Sequence, residues 1–252
     1  MTNQKLHPEA IVDRDQTARA HSGFRSNPAA ANSEAVEDYA KAIHALSGPG
    51  RDTVGTSALA ERLGVSPGTV TAMLKRMAEM GLVSHEPYRG VTLTEPGERI
   101  ALEVIRHHRL LEAYLAEALG MPWDRVHDEA EVLEHYISEE LEERIALALG
   151  DPSHDPHGDP IPDRELALAQ LAATRSLGEL DPGAKGIFTR VSDSAPEMLR
   201  YLAERGIAPG DRLEVVERQP FGGPLLVRFS SGEHAIGGGL AEAMRVEVTK
   251  KP

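Results

Sequence analysis

Residues 57–97 restrict the possible folds of this chain most strongly. The pattern predicts a short helix over residues 57–63, a tight turn that contains glycine, and a longer helix from Pro67 to about Met80. Two helices joined in this way form a helix-turn-helix unit. The turn signal of residues 87–90 then lies between two short apolar segments, which predicts a two-stranded hairpin. A helix-turn-helix followed directly by such a hairpin is a winged helix.

The second helix of a winged helix enters the major groove of DNA, and the tip of the wing touches the backbone beside it. Short hydroxyl side chains suit base edges or phosphates, and cations suit phosphates. A winged helix used only for protein contacts is the alternative, because basic charge is sparse in this segment. The candidate DNA-binding residues are Ser66, Gly68, Thr69, Thr71, Lys75, Arg76 and Arg89.

A second constraint is the glutamate-rich stretch VHDEAEVLEHYISEELEERI, from Val126 to Ile145, whose spacing predicts one helix. Residues three and four apart share a helix face, so two histidines and two glutamates fall on one stripe. Nearby apolar residues indicate partial burial, and buried carboxylates are costly unless they are paired or bind a metal. The stripe is therefore a candidate metal site, although a solvated acidic face is the commoner structure for such a helix alone. Its members are His127, Glu131, Glu134 and His135.

A long amphipathic helix is predicted from Glu98 to Leu119, directly before the glutamate-rich stretch. It carries His108 and Glu112 at i and i+4, a spacing that more often makes a surface ion pair than a pair of metal ligands. Two consecutive amphipathic helices behind a winged helix are a common way to form a dimer. A dimer also places two recognition helices on two half-sites, so we expect a homodimer.

Composition excludes several kinds of site. The 252 residues include no cysteine, so disulfides, thiolate metal sites and catalytic thiols are excluded. The net charge of −13 argues against general binding to polyanions. Residues 98–150 carry 13 acidic and 5 basic residues, whereas residues 33–97 carry 8 and 6. The acidity is therefore concentrated where cations are expected to bind.

The ends of the chain differ from its middle. The first residues lack apolar periodicity, a helix is predicted to begin at the N-cap Ser33, and a further helix is predicted around Glu165–Ala173. The last 70 or so residues hold short strands separated by Gly/Pro turns, which predicts a small β-barrel. The predicted parts are a disordered tail (1–32), a winged-helix DNA-binding domain (33–97), a helical metal-binding and dimerisation domain (98–165), a linker (166–182) and a β domain (183–252).

With these parts in this order, residues 33 to about 250 resemble the diphtheria toxin repressor family of metal-dependent transcriptional regulators, and most of all its manganese-responsive branch. The motifs are VEDYAKAIHAL, RHHRLLEAYL, VHDEAEVLEHYIS, HGDPIP and the C-terminal strand pattern. The resemblance implies a mainly α fold with a small β domain. Its parts would be an N-terminal winged helix-turn-helix, a helical dimerisation domain and a C-terminal SH3-like (FeoA-like) β-barrel.

The resemblance also implies two metal sites. In this sequence the primary ligands would be Asp38, Glu131, Glu134 and His135. The ancillary ligands would be His108, Glu112 and His127, and in manganese-responsive relatives the histidine that matches His108 bridges both metals. Some members add ligands from the C-terminal domain; the matching positions are Arg190 and Asp193, of which only Asp193 could bind a metal.

Two departures bear on the metal. Iron-responsive members commonly carry Met at the position of Asp38 and Cys at that of Glu131, and carboxylates in their place favour harder ions such as Mn²⁺. A further first-helix acid of some manganese regulators falls on Lys41, so that ligand is missing here.

The expected function is a dimeric, metal-activated repressor that binds double-stranded operator DNA and has no enzymatic activity. Mn²⁺ is the expected cofactor, with Fe²⁺ second and Co²⁺ or other divalent ions able to substitute in vitro. One alternative is a winged-helix regulator that senses a small organic ligand. Another is a metallohydrolase, which would need an open coordination position, and the chain has no His-Glu-x-x-His motif. No membrane-length apolar run or secretory signal is present, so a cytoplasmic protein is expected.

Overall fold

A computed structural model describes residues 28–48, 52–86, 89–169, 173–192 and 195–250. Over these ranges the chain forms eight α-helices and eight strands, and the predicted class, mainly α with a small β domain, is confirmed. Within the same ranges no helix is both long and apolar enough to cross a membrane.

The first helix, α1 (Pro28–Ser47), begins before the predicted N-cap Ser33. Ser33 instead lies inside the helix, where its hydroxyl donates to Glu37 Oε1 at 2.7 Å. The predicted start is therefore wrong by about one turn, because a good capping residue is also tolerated within a helix. The first 27 residues of the predicted tail lie outside the described ranges.

The predicted winged helix is present. Ser66 caps the recognition helix by accepting a hydrogen bond from the Thr69 amide at 3.1 Å, and Gly64 ends the preceding helix with φ 64°. The two wing strands pair antiparallel from Val83↔Leu93 to Glu86↔Gly90. The elements are α2 (Thr56–Leu63), α3 (Pro67–Glu79), β1 (Val83–Glu86) and β2 (Gly90–Leu93).

The long helix α4 (Glu95–Glu117) joins the winged helix to the rest of the chain. It packs along α1, and its Ala101 belongs to the same buried core as Ala40 and Ile43 of α1. At its start, a Cβ on Gly97 would lie 2.0 Å from the Leu82 carbonyl oxygen, so only glycine permits this approach. The packing brings the polar face of α1 next to the middle of α4.

The predicted single helix from Val126 to Ile145 is wrong in one respect, because the structure divides it into α5 (Val126–Leu133) and α6 (Glu139–Ala148). Ser138 supplies the physical reason. Its side chain accepts a hydrogen bond from the Leu141 amide at 3.3 Å and so caps a new helix.

The C-terminal part is a six-stranded antiparallel sheet in the order β3-β8-β4-β5-β6-β7, consistent with the predicted SH3-like fold. A buried core that includes Phe188, Leu202 and Val227 lies against it. The elements are β3 (Thr174–Ser176), β4 (Lys185–Val191), α7 (Pro196–Ala203), β5 (Arg212–Arg218), β6 (Leu225–Phe229), β7 (Gly232–Ile236), α8 (Gly238–Ala243) and β8 (Met244–Lys250).

Some sequence expectations for this part fail. Residues 165–169 are not helical, and β3 belongs to the sheet although it lies in the predicted linker. The sheet therefore begins upstream of residue 183. Neither β7 nor α8 was predicted, because the Gly-rich segment around them breaks the alternating pattern.

Candidate metal centre

Asp38, Glu134 and His135 form the first group of potential ligands. Asp38 lies on α1, and the other two follow the last turn of α5. His135 Nε2 lies 3.2 Å from Asp38 Oδ1 and 3.6 Å from Glu134 Oε1. One ligand atom from each residue lies within 4.8 Å of the other two. The group therefore spans the DNA-binding and helical parts of the chain.

Glu37 holds the histidine of this group in place. Its Oε2 lies 2.6 Å from Nδ1 of His135, which leaves Nε2 for the group itself. Burial alone would lower the pKa of His135, but hydrogen bonds to Asp38 and Glu37 outweigh it and raise that pKa to about 10. The same hydrogen bond lowers the pKa of Glu37. Sequence analysis did not single out Glu37.

His108, Glu112 and His127, the residues expected for the ancillary site, also lie together. His108 Nε2 lies 3.0 Å from Glu112 Oε1 and 3.1 Å from His127 Nδ1. His127 Nδ1 lies 3.2 Å from the same Glu112 oxygen. Burial would lower the pKa of His108, but hydrogen bonds to Glu112 and Glu134 outweigh it and raise the pKa.

Glu131 is arranged differently from the expectation. It forms a group with His108 and His127, and its Oε1 lies 3.8 Å from a ring nitrogen of each. The expected set placed it with Asp38, Glu134 and His135. The physical reason is a cation: Lys41 of α1 draws the Glu131 carboxylate to 2.6 Å.

Lys41 links the groups. Its Nζ lies 2.8 Å from Glu134 Oε2 and 3.2 Å from His108 Nδ1, in addition to its contact with Glu131. His108 Nδ1 in turn lies 2.5 Å from Glu134 Oε2. Lys41 was expected only to mark a missing ligand, and no periodicity within α1 could have shown its partners on α4 and α5.

Glu112, Asp155 and His157 form a further group in which every member is buried. His157 Nε2 lies 2.8 Å from the Trp123 carbonyl oxygen, and its Nδ1 points to Glu112 Oε2 at 3.7 Å. Burial and the charge of Glu112 raise the pKa of Asp155 to about 7. Burial opposes the protonated form of His157, but Glu112 raises its pKa to about 9. His157 begins the HGDPIP motif, whose sequence alone does not indicate these contacts.

Asp193, the tentative ligand from the C-terminal domain, lies outside the described residues. Arg190 is described, and its guanidinium donates to Asp159 Oδ1 at 2.9 Å. That contact joins β4 to the loop that carries Asp155 and His157.

The donor atoms of these groups are carboxylate oxygens and imidazole nitrogens, with no sulfur. Such sets suit divalent ions such as Mn²⁺ and Fe²⁺, and carboxylates favour the harder of the two. The buried carboxylate of Glu134 also requires a positive partner. The residues present therefore fit a metal centre.

The expected DNA-binding residues lie at the start of α3, along α3 and at the wing. Most are exposed on α3 or at its start, Arg76 is half-buried, and Arg89 is exposed at the wing. Two hydroxyls are partly engaged: Ser66 caps α3, and Thr71 donates to the Pro67 carbonyl oxygen at 2.9 Å. The surface thus offers hydroxyls, backbone and two cations to a partner.

Comparison with known proteins bears on the function. Residues 32–91 match the family "Iron dependent repressor, N-terminal DNA binding domain", and residues 94–163 match "Iron dependent repressor, metal binding and dimerisation domain". Residues 175–248 match the FeoA domain. The iron-dependent repressor IdeR of Mycobacterium tuberculosis strain H37Rv is 32% identical over 85% of this chain and 97% of its own length.

The chain belongs to the iron-dependent repressor family. Members of this family are transcriptional repressors with DNA-binding and metal-binding domains. The diphtheria toxin repressor of Corynebacterium diphtheriae is 30% identical over 85% of this chain and 97% of its own.

Some of the solved structures that this chain resembles are named as manganese-dependent. A "manganese-dependent transcriptional repressor complex with manganese" is 42% identical, with a TM-score of 0.76 over 84% of this chain and 99% of that one. The manganese regulator SloR is 30% identical, with a TM-score of 0.66 over 85% and 98%. The resemblance to the manganese-responsive branch of the family is thus confirmed.

Proposed function

We propose that this protein is a homodimeric repressor whose binding to operator DNA is switched on by a divalent cation, with Mn²⁺ as the physiological ion. The single observation that carries the proposal is the composition of the first ligand group. Asp38 belongs to α1 of the DNA-binding domain, whereas Glu134 and His135 belong to the helical part. A cation held by all three would tie the DNA-binding unit to the helical part.

The metal would act by binding more tightly to one arrangement of the DNA-binding unit and the helical part than to the other arrangements. Without it, the carboxylates of Asp38 and Glu134 repel each other, and this repulsion is opposed by the ring of His135 and, at Glu134, by the ammonium of Lys41. A bound divalent ion supplies the positive charge that these ligands share. It favours one separation of the two recognition helices, which must fit half-sites about 34 Å apart. By linkage, DNA must tighten metal binding by the same factor as metal tightens DNA binding.

The donor types support Mn²⁺ over Fe²⁺. Asp38 and Glu131 stand where iron-responsive relatives commonly carry sulfur, and oxygen donors favour the harder ion. The 42% identical structure that is named as manganese-dependent agrees with this choice. Co²⁺ and other divalent ions are expected to substitute in vitro. An ancillary ion is proposed at His108, Glu112 and His127, which lie within 3.2 Å of one another.

The proposal is tested with Glu134→Gln, which keeps the shape of a buried ligand but removes its charge. DNA fragments are first selected from a random-sequence duplex pool with Mn²⁺-loaded wild type. Their affinity is then measured by fluorescence anisotropy in Mn²⁺ and in EDTA. Wild type should bind these fragments at least about 10-fold more tightly in Mn²⁺ than in EDTA, which lies within the usual range of allosteric coupling. Glu134→Gln should lose this difference in affinity.

Glu129→Gln is the matched control, because Glu129 is an exposed residue on α5, five positions before Glu134. It should behave as wild type. Equal affinity of wild type in Mn²⁺ and in EDTA would contradict metal activation. That result would favour a regulator that senses a small organic ligand.

A further inference from the structure

Lys41 lies where the first and second ligand groups meet. Its Nζ is 2.6 Å from Glu131 Oε1 and 2.8 Å from Glu134 Oε2. These are the lengths of charge-assisted hydrogen bonds. One lysine side chain thus neutralises a carboxylate from each group.

The surroundings of Lys41 are those of a bound cation and not of a surface lysine. Only 16% of its side chain is exposed, and the side chain of Glu134 is fully covered. A buried carboxylate is costly without a positive partner. The ammonium also lies 3.0 Å from the second Glu134 oxygen, Oε1, and 3.2 Å from His108 Nδ1. An imidazole nitrogen and two carboxylates are also the donors that a divalent ion would use.

A metal ion between Glu131 and Glu134 would need the oxygens and the ring nitrogen that Lys41 contacts. Two cations cannot both hold this whole set of atoms at such distances without strong repulsion. The first ligand group shares only Glu134 with this set, and its Asp38 Oδ1 and His135 Nε2 lie 3.2 Å apart. The ancillary residues use His108 Nε2, on the opposite edge of the ring from Lys41.

We propose that Lys41 is a built-in cation that takes the place of a metal ion between Glu131 and Glu134. The inference rests on the proposed function and adds a specificity: no carboxylate-bridged pair of ions forms where α1, α4 and α5 meet. Because Lys41 belongs to α1, it also holds that helix to α5 when no metal is bound. Lys41 thereby provides, without metal, part of the attachment of α1 to α5 that a bound ion would provide.

The first test counts ions in full-length protein by native mass spectrometry and by Mn²⁺ titration. Lys41→Glu replaces the cation by a carboxylate and should bind one more Mn²⁺ per protomer than wild type. Lys185→Glu, which changes an exposed lysine on β4, is the control and should bind the wild-type number. An unchanged count in folded Lys41→Glu would overturn the inference.

Two further measurements do not depend on that variant. Wild type saturated with Mn²⁺ should show no exchange-coupled pair by electron paramagnetic resonance, and such a signal would overturn the inference. In EDTA, the melting temperature of Lys41→Met should lie about 2–4 °C below that of wild type. This difference in melting temperature should be smaller in Mn²⁺. An equal melting temperature in EDTA would count against the holding role. If wild type binds no Mn²⁺ at all, both the inference and the proposed function fail. The other negative results would overturn the inference alone and leave the proposed function standing.

Discussion

His107 and His108 are neighbours on α4 but face different partners. His107 Nε2 lies 3.1 Å from Glu142 Oε2 of α6, and its Nδ1 lies 3.1 Å from the Glu134 carbonyl oxygen. Arg106 also donates to Glu142, and the three side chains of this network are buried. The network therefore joins α4 to α6 and supports the backbone at Glu134.

His107→Gln is expected to lower stability in a pH-dependent way. Burial would lower the pKa of His107, but Glu142 raises it above its usual 6.5, and the hydrogen bond to His107 lowers the pKa of Glu142 below 4.5. The contribution of charged His107 is thus complete below 6.5 and is lost as pH rises through the raised pKa. It is also lost in acid, through the lowered pKa of Glu142. We would measure the free energy of unfolding in urea with EDTA present. The value for wild type should exceed that for His107→Gln by about 1.5–3 kcal/mol near pH 6 and by less near pH 9.

The control for this prediction is His154→Gln. His154 is exposed in a loop, where its ring contacts the neighbouring Ser153 hydroxyl at 2.9 Å. This variant should follow the wild-type stability curve at every pH. A wild-type advantage over His107→Gln that stays constant from pH 5 to 9 would contradict the assigned ion pair.

Helical spacing placed His108 and Glu112 on one face of α4, and the family resemblance added His127 to them. The contacts of these three residues run between consecutive helices. The roles of Lys41 and His157 could not be predicted. The partners of Lys41 lie at least 67 positions away along the chain, and those of His157 lie 34 and 45 positions away. The position of a charged side chain depends on which distant carboxylates surround it, and periodicity carries no information about them.

At the scale of elements, the break between α5 and α6 is the main difference from the expected structure. The apolar period runs through it without interruption, so periodicity alone predicts one helix. The local signal was present, since Ser138 is followed by Glu139, Glu140 and Glu142, acids that favour a helix N-terminus. With α5 ending at Leu133, Glu134 and His135 lie in the connection. The break between α5 and α6 therefore helps to position two of the proposed metal ligands.

The loop that holds His157 packs on β4 through a glycine. A Cβ on Gly158 would lie 1.9 Å from the Thr189 carbonyl oxygen, and its φ of 88° disfavours other residues. Gly158→Ala should therefore separate the loop from β4 and break the hydrogen bond from the Val191 amide to the His157 carbonyl. We expect a loss of more than about 1 kcal/mol of stability and faster amide exchange in β4, measured by hydrogen–deuterium exchange.

Gly150→Ala separates backbone strain from the steric clash. Gly150 has a similar φ of 75°, but nothing lies within 4 Å of the position that a Cβ would occupy there. This variant should lose about 1 kcal/mol from strain alone and leave exchange in β4 unchanged. Equal exchange of β4 in Gly158→Ala and Gly150→Ala would mean that the loop does not depend on this contact.

At the scale of the whole molecule, charge is divided between regions. The chain carries −13 overall, yet the winged-helix segment is nearly neutral and the helical part holds most of the excess acid. A strongly acidic molecule is repelled by DNA at long range, so its few cations on α3 and the wing must make direct phosphate contacts. Affinity for DNA should therefore depend on individual residues more than on general attraction.

Lys75→Ala tests this dependence. Lys75 is exposed on α3, so its loss should weaken binding of the selected DNA fragments in saturating Mn²⁺. The plot of log affinity against log salt should become less steep by about 0.9, the value for one lost phosphate contact. Lys185→Ala, which removes an exposed cation from the C-terminal sheet, should keep the wild-type slope. Weaker binding by Lys75→Ala at an unchanged slope would mean that Lys75 contributes through a base or through helix packing. Equal loss in both variants would instead indicate that net charge governs the approach to DNA.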